Sequence, residues 1–224
     1  MQMLDLTQLN KVMELEDINS ISTVTGDIQL LVTASAQPGV YLRSCTLGDL
    51  IIPGSVSMEQ RAPVWQKKAR KDRPSLSWLW TNPSLVLALP LRRTLDLLSV
   101  RVQSGSAKLS DIKLKELDGE VTDGSLRMQD VSCQDARLSA TSSSIESKSL
   151  VVSGSCELSA SSARISLQES LTATSGYRVH ARSGSLSIGT HQLMGSGTLE
   201  QEGSPFFSIG SESSRIAIAY TSRG

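Results

Sequence analysis

Asp111 and Asp130 stand 19 residues apart, inside a stretch that repeats itself with the same step. If successive repeats stack as strands about 4.8 Å apart, the two carboxyls become neighbours. Retaining glycosidases work with two carboxyls about 5 to 5.5 Å apart, so this spacing is one that a sugar-cleaving enzyme could use. Each aspartate, however, immediately precedes an apolar residue of the repeat, Ile112 or Val131, at a corner. Aspartate is favoured at such corners because its side chain hydrogen-bonds the turn. The next repeat carries Ser149 at the same place, and no aromatic platform for a sugar ring lies nearby in the repeat. The expected role of the pair is turn chemistry, with weak cation binding between the carboxylates as a secondary use.

Other catalytic groups are scarce. His180 and His191 are the only histidines, without metal-ligand spacing between them, so nucleophilic and metal catalysis lack a minimum cast. His180 sits between inward Val179 and Ala181 and is expected to face solvent, and His191 is expected in a turn. Gly195-Ser196-Gly197 is followed by Thr198 and Leu199 rather than by a lysine and a helix, which excludes a phosphate loop. Cys45, Cys133 and Cys156 show no paired ligand spacing, and the last two fall on inward positions. They read as small buried hydrophobes. The expectation is a protein that is not an enzyme and uses no cofactor and no metal.

The other concentration of chemistry lies between Arg61 and Thr81, which holds every tryptophan in the chain, Trp65, Trp78 and Trp80, interleaved with Lys67, Lys68, Arg70, Lys71 and Arg73. Basic residues beside tryptophan suit anionic lipid headgroups or an acidic partner surface with aromatic anchors. A plainer reading has the indole rings packed across a face of the fold while the lysine heads stay wet, and the plainer reading is favoured. These eight residues are the candidate interaction surface.

The elements that position all of these come from the repeat. Ala107, Leu109, Ile112, Leu114, Leu117 and Val121 recur 19 residues later as Leu126, Met128, Val131, Cys133, Ala136 and Ala140. The ladder continues through Ile145, Leu150, Val152, Cys156, Leu158 and Ala160, then Ile165, Leu167, Leu171, Ala173, Tyr177, Val179 and Ala181, and ends at Leu186, Ile188 and Leu193. Polar corners separate the rows: Ser104-Gly105-Ser106, Asp123-Gly124-Ser125, Ser142-Ser143-Ser144, Ser162-Ala163-Arg164 and Ser183-Gly184-Ser185. Steps of two keep residues on one face of a strand, whereas steps of three spend a residue on a turn. Repetition at a short period marks a solenoid. The expected fold is all-β: a single-stranded parallel β-helix with coils of about 19 to 21 residues at about 3.3 Å each, three short faces and a packed interior.

Outward columns should then form charge ladders, with Asp118, Arg137 and Glu157 alternating and Arg127 meeting Glu146, while Glu116 beside Asp135 and Lys108 beside Arg127 are like pairs. Earlier segments join less regularly. Gly26, Ile28 and Leu30 match the pattern of Gly105, Ala107 and Leu109, and Leu98, Val100 and Val102 precede Leu117, Gly119 and Val121 by 19. Phe207, Ile209, Ile216, Ile218 and Tyr220 read as a closing rung, and residues 2–17 as a lead strand or cap. One domain over 1–224 is expected, with first rungs and cap in 1–60, a basic, tryptophan-bearing insertion in 61–84, and regular coils with the closing rung in 85–224.

Composition agrees with a globular chain: 224 residues, 39% hydrophobic and 20% charged. The formal net charge is zero, which speaks against a nucleic-acid partner. The apolar run Ser84 to Leu91 is too short to span a bilayer. Met1 to Asp5 lacks a basic start and an apolar core, so no signal peptide is expected. Location is left as cytoplasmic or as a soluble piece of an envelope protein.

The strand Leu85-Val86-Leu87-Ala88-Leu89-Pro90, a turn, Leu98 to Ser106, and then repeats with Gly/Ser corners resemble the bacterial putative-adhesin family of β-strand-repeat domains. Ile18 to Ile21 followed by Thr25-Gly26-Asp27-Ile28 is similar to that family's opening, so the resemblance covers nearly the whole chain. It implies a β-solenoid that binds or scaffolds, in some members at the cell envelope, and it implies no catalytic residues. Protein, glycan and membrane surfaces are the expected partner classes, together with self-association. A carbohydrate-active β-helix enzyme and a self-assembling filament subunit are the alternatives.

Overall fold

The structure is a computed structural model, and it describes residues 12–15, 20–25, 29–35, 40–44, 54–57, 84–90 and 94–220. Corner residues and alternating apolar positions cut the chain into strands. The early strands are β1 (Val12–Leu15), β2 (Ser20–Thr25), β3 (Gln29–Ser35), β4 (Val40–Ser44), β5 (Gly54–Ser57), β6 (Ser84–Pro90), β7 (Leu95–Val102) and β8 (Ser106–Ser110). The regular stretch supplies β9 (Leu114–Thr122), β10 (Ser125–Cys133), β11 (Asp135–Thr141), β12 (Ser144–Val152), β13 (Ser155–Ser161) and β14 (Arg164–Leu171). The last part holds β15 (Gly176–Ala181), β16 (Gly184–Ile188), β17 (His191–Met194), β18 (Gly197–Gln201), β19 (Phe206–Glu212) and β20 (Ser214–Tyr220). Among the described residues there is no helix, and none is long and apolar enough to cross a membrane.

The strands form an eleven-stranded sheet in the order β1-β4-β6-β3-β8-β10-β12-β14-β20-β16-β17 and a nine-stranded sheet in the order β18-β15-β19-β13-β11-β9-β7-β2-β5. Inner neighbours are parallel, and outer ones such as β4 on β6, β17 on β16 and β18 on β15 are antiparallel. The fold is thus an all-β, solenoid-like stack. Its strands gather into two mixed sheets, where the sequence had suggested three uniformly parallel faces. A third bend is nevertheless present. Asp111, between β8 and β9, and Asp130, Ser149 and Glu169, inside β10, β12 and β14, all take positive φ, between 52° and 69°, and the buried positions of β10 and β12 fall into steps of two and three around them. A second column of positive φ, at Asp123, Ser142, Ser162 and Ser213, makes the polar corner. Aspartate tolerates this backbone better than most residues with a Cβ.

The ladder lands where its spacing placed it. Leu126 pairs with Ile145 and Ile145 with Ile165, and Val131 pairs with Leu150. Leu98, Val100 and Val102 pair with Leu117, Gly119 and Val121. These side chains are buried in one continuous core with the apolar residues of the other rungs. Ala173 departs from the expectation and lies exposed between β14 and β15, and Tyr220 sits at the surface at the end of its strand. Leu193 is only partly buried, packed against the core. The match of Gly26 to Gly105 is also corrected: Leu30, not Ile28, stands opposite Ala107, and Val32 opposite Leu109. A slip of two leaves the same face inward, which is why the core tolerates it.

The larger correction concerns Phe207 to Tyr220. This rung does not close the stack. β19 lies between β13 and β15, and β20 lies between β14 and β16. After β14 the chain skips one level, runs through β15 and β16, turns back through β17 and β18, and returns to fill the gap. Gly184 permits the fit: its φ is 113°, and a Cβ there would run into the Ser214 carbonyl oxygen. The opposite end behaves alike, because β3 lies between β6 and β8 although β6 follows it in sequence.

Candidate binding groove along the serine corners

Six rungs present their corners in one column. Registers place Ser106, Ser125, Ser144, Arg164, Arg215 and Ser185 side by side in that order. A shallow, open groove of about 520 Å³ follows the column, from Asp123 and Gly124 across Ser142, Ser143 and Ser144 to Ser162, Ala163, Arg164 and Arg215. Rung contacts consume the backbone here: the Ser144 amide donates to Gly124 O at 3.1 Å, Arg164 to Ser143 O at 2.9 Å and Arg215 to Ala163 O at 3.0 Å. Ser143 Oγ donates to Val121 O at 2.9 Å. Among the described residues no hydrogen bond engages the hydroxyls of Ser142, Ser144 and Ser162, which line the groove.

The arginines of this groove differ from the others. Arg101 meets Glu120 at 3.2 Å, Arg127 meets Glu146 at 3.7 Å, Arg137 meets Glu157 at 3.0 Å, and Arg178 and Arg182 meet Glu200 and Glu212. Arg164 and Arg215 have no ion pair among the described residues and are each other's Cα partners on adjacent parallel strands, roughly 4.8 Å apart. Like charges set directly opposite one another in a sheet repel. Glu146 on the neighbouring strand β12 and Glu212 at the end of β19 are engaged with Arg127 and Arg182.

Elsewhere the outward columns follow the expectation. Arg137 stands between Asp118 and Glu157, and Glu116 beside Asp135 and Lys108 beside Arg127 are stacked like pairs. Asp118 accepts a hydrogen bond from Ser99 Oγ at 3.1 Å. Asp135 accepts from both the amide and the hydroxyl of Ser155, at 2.8 and 2.7 Å, which holds its carboxyl below the usual range. Asp111 and Asp130 are corner residues with φ of 58° and 52°, as turn chemistry requires.

Cys133 and Cys156 are free and buried. Burial pushes the Cys133 thiol up to about 12, and the Cys156 thiol also rises for the same reason. Neither is a nucleophile in this state. His180 is exposed, as expected, but His191 opens β17 rather than a turn, and its Nδ1 lies 2.8 Å from the Tyr177 hydroxyl. Among the described residues, no group of three His, Cys, Asp or Glu side chains could hold a metal. Trp65, Lys67, Lys68, Arg70, Lys71, Arg73, Trp78 and Trp80, with Cys45, lie outside the described residues.

The Arg164–Arg215 pair escaped the sequence reading because its members are 51 residues apart and meet only through the interleaved rung. A signal was available: Ser213-Ser214-Arg215-Ile216 repeats the arrangement of Ser162-Ala163-Arg164-Ile165.

With the stack and its groove described, comparison with known proteins defines the class. Residues 66–204 match the sequence model of the family described as Toastrack DUF4097. The chain belongs to this Toastrack family, whose members share a β-repeat fold. It is also similar, at 11% identity and a TM-score of 0.42, to a crystal structure described as a putative cell adhesion protein from Clostridium sporogenes, with 94% of this chain and 98% of that one covered. No curated protein matches the sequence.

Proposed function

We propose that this chain is a non-enzymatic binding or scaffold protein whose rigid stack presents ligand-binding groups in columns at the spacing of its rungs. Its inner run is a β-helix with coils of about 19 to 21 residues, and the family resemblance supports a setting at the cell envelope. The observation that carries the reading is the groove along the corner column, where serine hydroxyls and two unpaired arginines face outward on backbone already hydrogen-bonded to its neighbours. The backbone beneath these groups is already held by rung-to-rung hydrogen bonds, so the ordering cost of binding is confined to the exposed side chains. Asp111 and Asp130, the pair with enzyme-like spacing, serve the turns in this reading. End-to-end assembly is a weaker reading, because the sheets end in strands of four or five residues, β1, β5, β17 and β18, and short edge strands blunt pairing with another copy.

Affinity electrophoresis of the full chain through a panel of polysaccharides, followed by assay for new reducing ends, tests the reading. Retention by at least one polymer without cleavage is expected, unchanged in the D111N/D130N double variant. Release of reducing ends by the wild type, lost in that variant while its melting curve is preserved, would establish the glycosidase alternative instead.

A further inference from the structure

We infer that the corner groove is a subsite for an acidic sugar, with a carboxylate held between Arg164 and Arg215 and the hydroxyls of the following sugar units running along the serines toward Asp123. The inference rests on the binding reading above and names its ligand class.

The arginines argue for an anion. From residue 94 to residue 220, five arginines each have a glutamate partner, and the two that lack one are stacked on each other. Two guanidinium groups on adjacent rungs present donors that a carboxylate oxygen pair can bridge, and an arriving anion replaces their repulsion with two charge-assisted contacts. Their neighbours in the column, Ser144 and Ser185, supply no competing charge.

The remainder of the groove argues for a sugar over a simple anion or an acidic peptide. From the Asp123 rung to the Arg215 rung is three rung steps, roughly 14 Å, which is more room than phosphate needs. Serine hydroxyls both donate and accept, as sugar hydroxyls do, and Ser142, Ser144 and Ser162 lie between the charged ends. Asp123 at the far end accepts hydrogen bonds from neutral hydroxyls but repels a second carboxylate. One anionic group near the arginines with neutral hydroxyls beyond fits this order of charges, whereas a peptide acidic throughout does not. With no aromatic ring lining the groove, charge supplies most of the affinity, and binding should weaken as salt rises.

The test is calorimetric titration of the full chain with a uronate trimer made of two galactose units and one terminal galacturonic acid, the corresponding galactose trimer, inorganic phosphate and triglutamate. The variant is R164S/R215S, chosen because serine occupies the same column on four other rungs, and its melting curve is recorded alongside. The uronate trimer is expected to bind the wild type and to lose about tenfold or more in the double variant, the scale of one charge-assisted hydrogen bond. The galactose trimer should bind at least about tenfold more weakly than the uronate. Equal binding of the uronate by wild type and variant, or equal binding of the neutral trimer, overturns the subsite. Phosphate or triglutamate binding as tightly as the uronate trimer overturns the sugar assignment. If the variant instead keeps its retention on a polysaccharide that the wild type also binds, the binding reading survives and this subsite falls.

Discussion

The rungs from β9 to β14 and the segment from β15 to β20 use the same building unit but differ in how chain order relates to spatial order. In the first region each strand stacks on the one that preceded it by 19 or 20 residues, as Leu126, Ile145 and Ile165 show. In the second the next spatial neighbour of Ile165 is Ile216, and Leu186 follows it. Core burial does not distinguish the two, for Ile216 is as enclosed as Ile145. The difference lies in the polar corner. Consecutive rungs placed serine beside serine from Ser106 to Ser144 and a lone Arg164 beside Ser144, whereas the returning rung placed Arg215 beside Arg164. Interleaving created a column in which two arginines meet without an ion-pair partner among the described residues.

The largest expected effect tests whether the returning rung belongs to the same cooperative unit. Leu150→Asp and Ile216→Asp each put an unpaired carboxylate at a fully enclosed position, at a cost of several kcal/mol. Thermal unfolding followed by circular dichroism should show both variants melting far below the wild type, or not folding. A normal midpoint for Ile216→Asp beside a collapsed Leu150→Asp would mean that β19 and β20 are dispensable, and the comparison would break.

A smaller effect isolates the fit itself. Gly184→Ala brings a Cβ against the Ser214 backbone at a positive φ, so both contact and conformation oppose it. Gly195 also has a positive φ, 85°, but open space surrounds its missing Cβ. Gly195→Ala should therefore cost about 1 kcal/mol for backbone strain, and Gly184→Ala more, about 2 to 3 kcal/mol. Equal losses in denaturant titrations would show that the close approach of the returning rung is not what Gly184 serves.

This comparison also explains what could be read in advance. A residue such as Leu126 or Val131 carries its environment in its own spacing, because its neighbours lie at a constant offset in the chain. The corner position of Asp130 was legible for the same reason: Asp111, Asp130 and Ser149 each stand just before an inward apolar residue at a constant offset. Offsets of 51 between Arg164 and Arg215, or of 77 between Leu30 and Ala107, obey no local period. They depend on which rung the chain leaves vacant, a choice made by the whole stack. The local pattern of Ser213 to Ile216 announced a corner without saying where it would dock. Two sheets with mixed direction were hidden likewise, since parallel and antiparallel strands present the same alternation of apolar and polar residues.

The smallest expected effect bears most directly on the groove. If Arg164 and Arg215 repel each other in the free protein, Arg215→Glu should stabilise it, because the substitution converts the column into the arrangement that Arg101 and Glu120, or Arg127 and Glu146, already have. Cross-strand charge pairs are worth about 0.2 to 1 kcal/mol, so the gain should be of that size. Because both side chains are exposed, the advantage of the variant should shrink as salt rises from about 0.01 M, where the Debye length is about 30 Å, to about 1 M, where it is about 3 Å. A stabilised variant that no longer binds the uronate trimer would mean that the fold carries a repulsion which its ligand relieves. A variant less stable than the wild type at low salt would show that the two guanidinium groups already avoid each other, and the unpaired column would lose its claim to be a waiting anion site.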